Sequence, residues 1–223
     1  MWWSIGDDIK LLGYSKKMSR LEYLTCDKLN VSKLRHSCHL CDDMSVTKLS
    51  EKTYSKCKDK CIKDHPCFGY IQLHYFKNDF LYVTTPPMIC LFGVQKNGFN
   101  NFQMSLQFTN VDSDPVMKNF YGFIEDSEFQ CMKLLGLNDK EGDRYMSQIR
   151  QDKKGKYEPN LSVKLPFRYN KFETDIYTDK EGVPNLLQIP SFANVQCDIY
   201  LDKIWKMNEK FYGKWKVKCV YLL

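Results

Sequence analysis

The sequence predicts a mostly β protein, a closed or nearly closed antiparallel barrel with one or two helices, preceded by a small Cys/His-rich module. Apolar and polar residues alternate in five segments of the C-terminal part, and two further runs flank a turn-like tripeptide, which makes at least six strands. Period-two alternation is typical of half-buried strands. Six of the ten cysteines fall between Cys26 and Cys67. We therefore divide the chain into a module at residues 1–67 and a β domain at residues 68–223.

The alternation also places the strands. In the last segment Trp215 and Tyr221 fall on the same face as Val217 and Cys219, which predicts core positions for both; a place on a binding surface is the alternative for Trp215. Residues 77–79 are turn-like. A strand count of this size suits a barrel, in which the sheet has no free edge. The predicted strands cover residues 68–76, 80–85, 104–109, 161–165, 172–177, 195–202 and 214–221.

One helix is predicted among these strands, at about residues 114–136. Asp114 is a good N-cap and Pro115 suits the first helical position. Apolar residues then recur at helical spacing up to Leu135, and Gly136 is a plausible stop. A second short helix is predicted over residues 143–151.

The cysteine spacing in the module favours a structural zinc site. Cys38-x2-Cys41 is followed by Cys57-x3-Cys61, and two short thiolate pairs can converge on one tetrahedral ion. The alternates to these ligands are His36, His39, His65 and Cys67. Disulfides and plain reduced thiols remain the competing interpretations. The four other cysteines lie in apolar stretches and are expected to be small core residues.

Composition and missing motifs narrow the function classes. The net charge is +6, a mild excess that matters only where it is clustered. It is clustered in residues 150–171 and 203–218. Neither a phosphate-binding glycine loop nor a metalloprotease or serine-hydrolase motif is present, so we expect no enzyme. Apolar runs are far shorter than the ~20 residues of a membrane span, and the N-terminus is unlike a secretory signal, so a cytosol-like compartment is expected.

A basic, aromatic-rich β domain suits the binding of single-stranded nucleic acid. Such ligands are held by cationic grooves that follow the phosphates and by aromatic faces on which bases stack. Residues 203–218 supply both ingredients, because aromatic residues there are interleaved with lysines. The candidate binding residues are Lys164, Arg168, Tyr177, Tyr200, Lys206, Lys214, Trp215, Lys216 and Lys218.

Three motifs in the β domain resemble those of a single-stranded-DNA-binding protein family of nucleocytoplasmic large DNA viruses. Residues 84–93 resemble its T-P-x-M-x-x-P-F-G strand, with Leu91 in place of a proline. Residues 159–166 are similar to its P-x-x-x-V-K-x-P strand, and residues 212–218 to its F-G-x-x-W-K-V strand, with one residue fewer between glycine and tryptophan. The resemblance covers about residues 68–223.

The resemblance implies an OB-like barrel that coats viral DNA without strong sequence preference, in replication or packaging. Binding residues carry over at the matched positions, Lys164, Lys214, Trp215 and Lys216. Expected partners are single-stranded DNA and other viral replication or capsid proteins, in the viral factory of the host cytoplasm and in the virion. The Cys/His module departs from the family pattern. It favours the alternative, a virion structural or complex-assembly protein stapled by zinc or disulfides that binds no nucleic acid.

Overall fold

The fold is seen in a computed structural model, which describes residues 29–38, 70–75, 80–98, 100–178 and 185–223. Within these ranges the chain forms fifteen strands, one α-helix, α1 (Pro115–Leu135), and three short 3₁₀ helices. The strands are β1 (Leu34–Cys38), β2 (Tyr70–Tyr75), β3 (Leu81–Thr84), β4 (Met88–Cys90), β5 (Gln95–Lys96), β6 (Phe102–Gln107), β7 (Ile149–Arg150), β8 (Asn160–Leu165), β9 (Phe167–Arg168), β10 (Lys171–Phe172), β11 (Asp175–Thr178), β12 (Ala193–Leu201), β13 (Lys203–Met207), β14 (Lys210–Gly213) and β15 (Lys216–Leu222).

Five strand positions close into a barrel. β3 and β4 act as one bent strand, interrupted at Pro86 and Pro87, and both pair with β12. β4 pairs with β6, β6 with β8, and β12 with β15, all antiparallel. The ring closes through the parallel contact of β15 with β8. We number the barrel strands in chain order, with β3–β4 as strand 1, β6 as 2, β8 as 3, β12 as 4 and β15 as 5. Around the ring they run 1-2-3-5-4-1, which is the order of an OB-like Greek-key barrel. The predicted mostly β barrel is confirmed.

The barrel interior is filled by the apolar residues of the predicted alternation. Leu161, Val163 and Leu165 of β8 are fully buried, as are Met104 and Leu106 of β6. Their neighbours along each strand point outward, because successive side chains of a strand alternate between faces. The strand predicted over residues 172–177 is instead divided between β10 and β11.

The predicted helix is confirmed almost to the residue. The Asp114 carboxylate accepts hydrogen bonds from the amides of Val116 and Met117, at 2.9 and 3.4 Å. Gly136 ends the helix in the left-handed conformation, at a φ of 67°. The apolar face of α1 packs on the barrel, with Phe120 5.9 Å from Phe108 between ring centres. No helix in the described part of the chain is both long and apolar enough to cross a membrane.

The second predicted helix, over residues 143–151, is wrong. A 3₁₀ turn ends at Arg144, and the chain then extends into β7, where Ile149 pairs with Leu161. The amide of Gln148 donates to the buried Glu128 carboxylate at 2.7 Å. Pairing with β8 and this tertiary hydrogen bond therefore override the local helical spacing.

A second sheet, ordered β1-β2-β13-β14, extends from the barrel. The hairpin β13–β14 is an insertion between the last two barrel strands, and it pairs with β2, where Trp205 lies opposite Tyr70. β1 falls within the predicted Cys/His-rich module and pairs with β2 along its whole length. Residues 39–69 lie outside the described ranges, so the division of the chain at residue 67 stays a prediction.

A β-bulge changes the phase of β15. Opposite β12, Ile199 pairs with Val217 and Asp198 pairs with Cys219, which leaves Lys218 as an extra residue. Beyond the bulge Val220 turns into the core. Tyr221 therefore lies on the outer face, and the prediction that it shares the core face of Val217 is wrong.

Candidate nucleic-acid interface

Four outward side chains form one register row across four strands. Lys164 of β8 pairs with Lys216 of β15, Lys216 pairs with Tyr200 of β12, and Tyr200 pairs with Tyr82 of β3. Each is flanked along its strand by buried residues, so the period-two alternation turns all four to the outside of the barrel. We call these four residues the outer row; it is cationic at one end and aromatic at the other.

The aromatic end of the row is a cluster of three rings. Phe80 is stacked on Tyr200 at a centre-to-centre distance of 5.8 Å and an angle of 16°. Tyr82 lies 5.5 Å from Tyr200, and the Lys216 ammonium lies 5.7 Å from the Tyr200 ring centre. Rings that pack against each other in this way hold their orientation without being fully covered, which leaves half-buried flat faces on the surface.

The cationic end holds several positive charges close together. Burial lowers the pKa of Lys164, and the charges of Lys214, Lys216 and Arg168 lower it further. Nearby cations disfavour a further positive charge. An anion bound here would relieve this repulsion, so the cationic end is electrostatically suited to a phosphate.

Asp202 holds two of these lysines in place. The residue is 6% exposed, and its carboxylate Oδ2 accepts a hydrogen bond from the Lys216 ammonium at 2.5 Å and lies 3.8 Å from that of Lys203. Burial is the main cause of a lowered pKa at Lys203. Because one carboxylate faces several cations, Asp202 orients the lysines without cancelling the positive charge of the region.

A second aromatic pair lies on the β2–β13 sheet. Tyr70 and Trp205 are 4.8 Å apart between ring centres. Lys203 joins them to the outer row, since its ammonium lies 4.5 Å from the Tyr70 ring centre and 5.2 Å from that of Trp205. Trp205 is 42% exposed, so this pair offers a further open aromatic face beside the cations.

Tyr177 belongs to a separate pair. It is stacked on Tyr221 at 5.3 Å between ring centres and an angle of 17°. The Tyr221 hydroxyl donates to the buried Asp198 carboxylate at 2.9 Å, and burial together with Asp198 raises the pKa of Tyr221. In register, Tyr221 pairs with Gln196 of β12, four residues from Tyr200 along that strand, and Lys218, the bulge residue of β15, precedes Tyr221 by three residues. Tyr177 is therefore placed apart from the outer row.

Two candidate residues do not contribute to this surface. Trp215 is 1% exposed and packs 6.0 Å from Phe123 of α1 between ring centres; its core position leaves no ring face for a base. Lys206 follows Trp205 on β13, so it points to the opposite face, where its ammonium pairs with Glu209 at 3.2 Å. Arg168, by contrast, is exposed beside the cationic end and pairs with Glu173 at 3.5 Å.

The predicted zinc ligands cannot be placed. Cys41, Cys57, Cys61 and the alternates His39, His65 and Cys67 lie outside the described residues, and of Cys38 and His36 only the backbone in β1 is described. Among the described side chains no three histidine, cysteine, aspartate or glutamate groups converge to hold a metal ion. Cys90, Cys131 and Cys197 are buried in the core cluster as expected, whereas Cys219 is buried outside it.

Sequence reasoning missed two of the three rings at the aromatic end of the row. Phe80 and Tyr82 occur in a segment predicted as a strand, and their period-two position marks an outward face. What was missing is the register that brings β3 beside β12, because strand pairing between distant segments leaves no local signal. Tyr70 was missed for the same reason, whereas Lys203 lies in the basic segment 203–218 that the sequence indicated.

The fold can be compared with solved structures. The single-stranded DNA-binding protein from bacteriophage Enc34 is similar, with 11% identity, a TM-score of 0.46, and coverage of 72% of this chain and 88% of that one. The same protein in complex with ssDNA shows 10% identity and a TM-score of 0.43, with coverage of 73% of this chain and 94% of that one. The single-stranded DNA-binding protein gp2.5 encoded by bacteriophage T7 shows 10% identity and a TM-score of 0.43, with coverage of 65% of this chain and 86% of that one. No protein-family model and no curated protein sequence matches the chain.

Proposed function

We propose that this protein binds single-stranded DNA without strong sequence preference, across the outer row. The observation that carries the proposal is the row itself, in which Lys164 and Lys216 lie in register with Tyr200 and Tyr82. The lysines neutralise phosphates and the rings stack bases, which are the two contacts that a single strand needs. Stacking tolerates every base, since each has a flat π face.

The shape of the surface favours a single strand over a duplex. The row is part of a sheet, and its side chains are half-buried rather than projecting. Reading a duplex requires an element that enters a groove, such as a helix or a β-ribbon. The rings of Tyr82 and Tyr200 can reach a base face only when the base is unpaired, so a duplex would meet the lysines alone.

The motifs that resemble the viral family support a role in viral DNA replication or packaging. Residues 84–93 include β4, residues 159–166 include β8, and residues 212–218 lead into β15. These segments include the barrel strands that carry Lys164 and Lys216. A coating protein for unwound viral DNA would need the contacts that the outer row offers.

The direct test is a fluorescence-anisotropy titration of labelled dT20 at two salt concentrations, with matched duplex as competitor. We expect binding that weakens as salt rises, because phosphate contacts release counterions, and that duplex displaces poorly. Equal displacement by duplex would contradict the single-strand proposal, and no binding at low salt would contradict nucleic-acid binding altogether.

Removing Lys164 of the outer row together with the neighbouring Lys214 should weaken binding and lower its salt dependence. We expect Lys164→Ala with Lys214→Ala to reduce the slope of log affinity against log salt by about 1.4, since each phosphate contact contributes ~0.7 for a single strand. The fold should tolerate the change, because the positive charge of Lys164 is already disfavoured by its surroundings.

The matched control is Lys206→Ala with Lys210→Ala. This pair removes the same charge from the neighbouring hairpin, but both lysines pair with acids, Glu209 and Asp143. The control should keep the wild-type slope. Equal slopes for the two double variants would show that net charge alone matters and that the row is not the binding surface.

A further inference from the structure

The hairpin β9–β10 carries an unusual tip. Its two turn residues, Tyr169 and Asn170, both have positive φ, at 49° and 59°. Positive φ at both central residues is the geometry of a type I′ turn, which favours Asn-Gly or Gly-Gly. A bulky aromatic residue is a rare outlier in that conformation, so Tyr169 is a costly choice for the turn.

Burial of the Tyr169 ring does not offset the conformational cost of its positive φ. The Tyr169 side chain is 96% exposed, so its ring removes almost no apolar surface from water. Glycine would suit the same backbone better. The stability of the described fold therefore gives no reason for an aromatic ring at this position.

The base of the hairpin is anchored firmly beneath this ring. Phe102, Phe167 and Phe172 form a triangle in which each pair of ring centres is 4.9 Å apart. The amide of Glu173 donates to the carbonyl of Pro166 at 2.9 Å and continues the ladder. The tip of this short hairpin thus exposes an aromatic ring, while packed phenylalanine rings hold its base in place.

The tip also lies beside the cationic end of the outer row. β8 leads into β9 through Pro166, and Tyr169 is five residues beyond Lys164, at most about 17 Å along an extended chain. Arg168, next to the ring, is near enough for its charge to affect Lys164 and Lys203. Lys171 is exposed on the other side of the turn.

We propose that Tyr169 is a base-stacking finger, which takes one nucleobase of the same single strand beyond the lysines of the outer row. The inference rests on the proposed function and extends its site. A strand whose bases stack on Tyr82 and Tyr200 passes its phosphates over Lys216 and Lys164 and places a further base on Tyr169, with Arg168 and Lys171 beside the adjoining phosphates. The upper limit of about 17 Å corresponds to at most about five stacked nucleotides at about 3.4 Å each.

The experiment compares dT20 binding of the wild type, Tyr169→Gly and Tyr169→Phe, with melting temperatures for each. We expect Tyr169→Gly to lose about 5- to 150-fold in affinity, the effect of one stacked base, and Tyr169→Phe to keep most of it. The melting temperature of Tyr169→Gly should be unchanged or higher, because glycine relieves the positive φ. A merely structural role would lower it.

The matched control is Tyr157→Gly. Tyr157 is also an exposed tyrosine beside a lysine, with the Lys156 ammonium 5.2 Å from its ring centre, but it precedes β8 and lies away from the hairpin. This variant should bind dT20 like the wild type. If the wild type binds and Tyr169→Gly binds equally well, the finger is refuted while the proposed function stands. If the wild type itself does not bind dT20, both proposals fail.

Discussion

Replacing Tyr82 and Tyr200 together by leucine is expected to weaken dT20 binding by about 30-fold or more. Each stacked base contributes ~1–3 kcal/mol, and every 1.4 kcal/mol is a factor of ten. The two rings lie 5.5 Å apart on neighbouring strands, so they form one platform. Leucine retains apolar contact with Phe80 but offers no flat face, which separates loss of stacking from loss of folding. The measurement is the same anisotropy titration.

The control is the pair Tyr82→Phe with Tyr200→Phe, which keeps both rings and should keep most of the affinity. The hydroxyl of Tyr200 is not expected to matter near neutral pH. Burial raises its pKa, and the charge of Asp202 raises it further, so the ring stays neutral well beyond the ordinary tyrosine range and does not repel phosphate. Full affinity in the leucine pair would place the bases elsewhere on the protein.

The elements that depend on neighbouring residues could be predicted from the sequence. The barrel strands β6, β8 and β12 follow from alternation along a few residues, since each buries one face. The helix follows from Asp114, Pro115 and Gly136, each of which acts within one turn. In these elements the local preference and the tertiary fold agree, which is why a single sequence is enough.

The features that depend on pairing between distant segments could not be predicted. An alternating pattern cannot reveal the extra residue Lys218, because a bulge is a property of two strands and not of one. The pattern therefore put Tyr221 in the core, while the structure turns it outward beside Tyr177. The 3₁₀ turn and β7 replaced a predicted helix for a related reason, since their partners Glu128 and Leu161 are remote in sequence.

In the candidate site, too, the features set by a single strand could be predicted and those set by strand pairing could not. Tyr200 and Lys216 were predicted as outward residues from their own strands, yet nothing in either strand indicates that they are neighbours. Register makes them neighbours, and it adds Tyr82 from a third strand. Asp202, which holds Lys216 in place, was not predicted at all, because an isolated acid among lysines resembles an ordinary surface charge.

The second large effect concerns Trp215, for which we expect a loss of stability. Trp215→Ala should lower the free energy of unfolding by about 3–5 kcal/mol, the usual cost of removing a buried tryptophan. Trp215 fills the space between the barrel and Phe123 of α1, so truncation leaves a cavity that several elements share. Urea denaturation measures the change, and a loss of this size is a large part of the 5–15 kcal/mol typical of a domain.

Trp205→Ala is the matched control, because it removes the same side chain from the outer face of β13. Trp205 is 42% exposed and Trp215 is 1% exposed, so we expect Trp205→Ala to cost about 1 kcal/mol or less in stability and to weaken dT20 binding. Truncation of Trp215 should thus affect folding, and truncation of Trp205 should affect binding. If Trp215→Ala unfolds at the wild-type urea concentration yet loses affinity for dT20, Trp215 belongs to the binding surface and the assigned packing of α1 on the barrel is wrong.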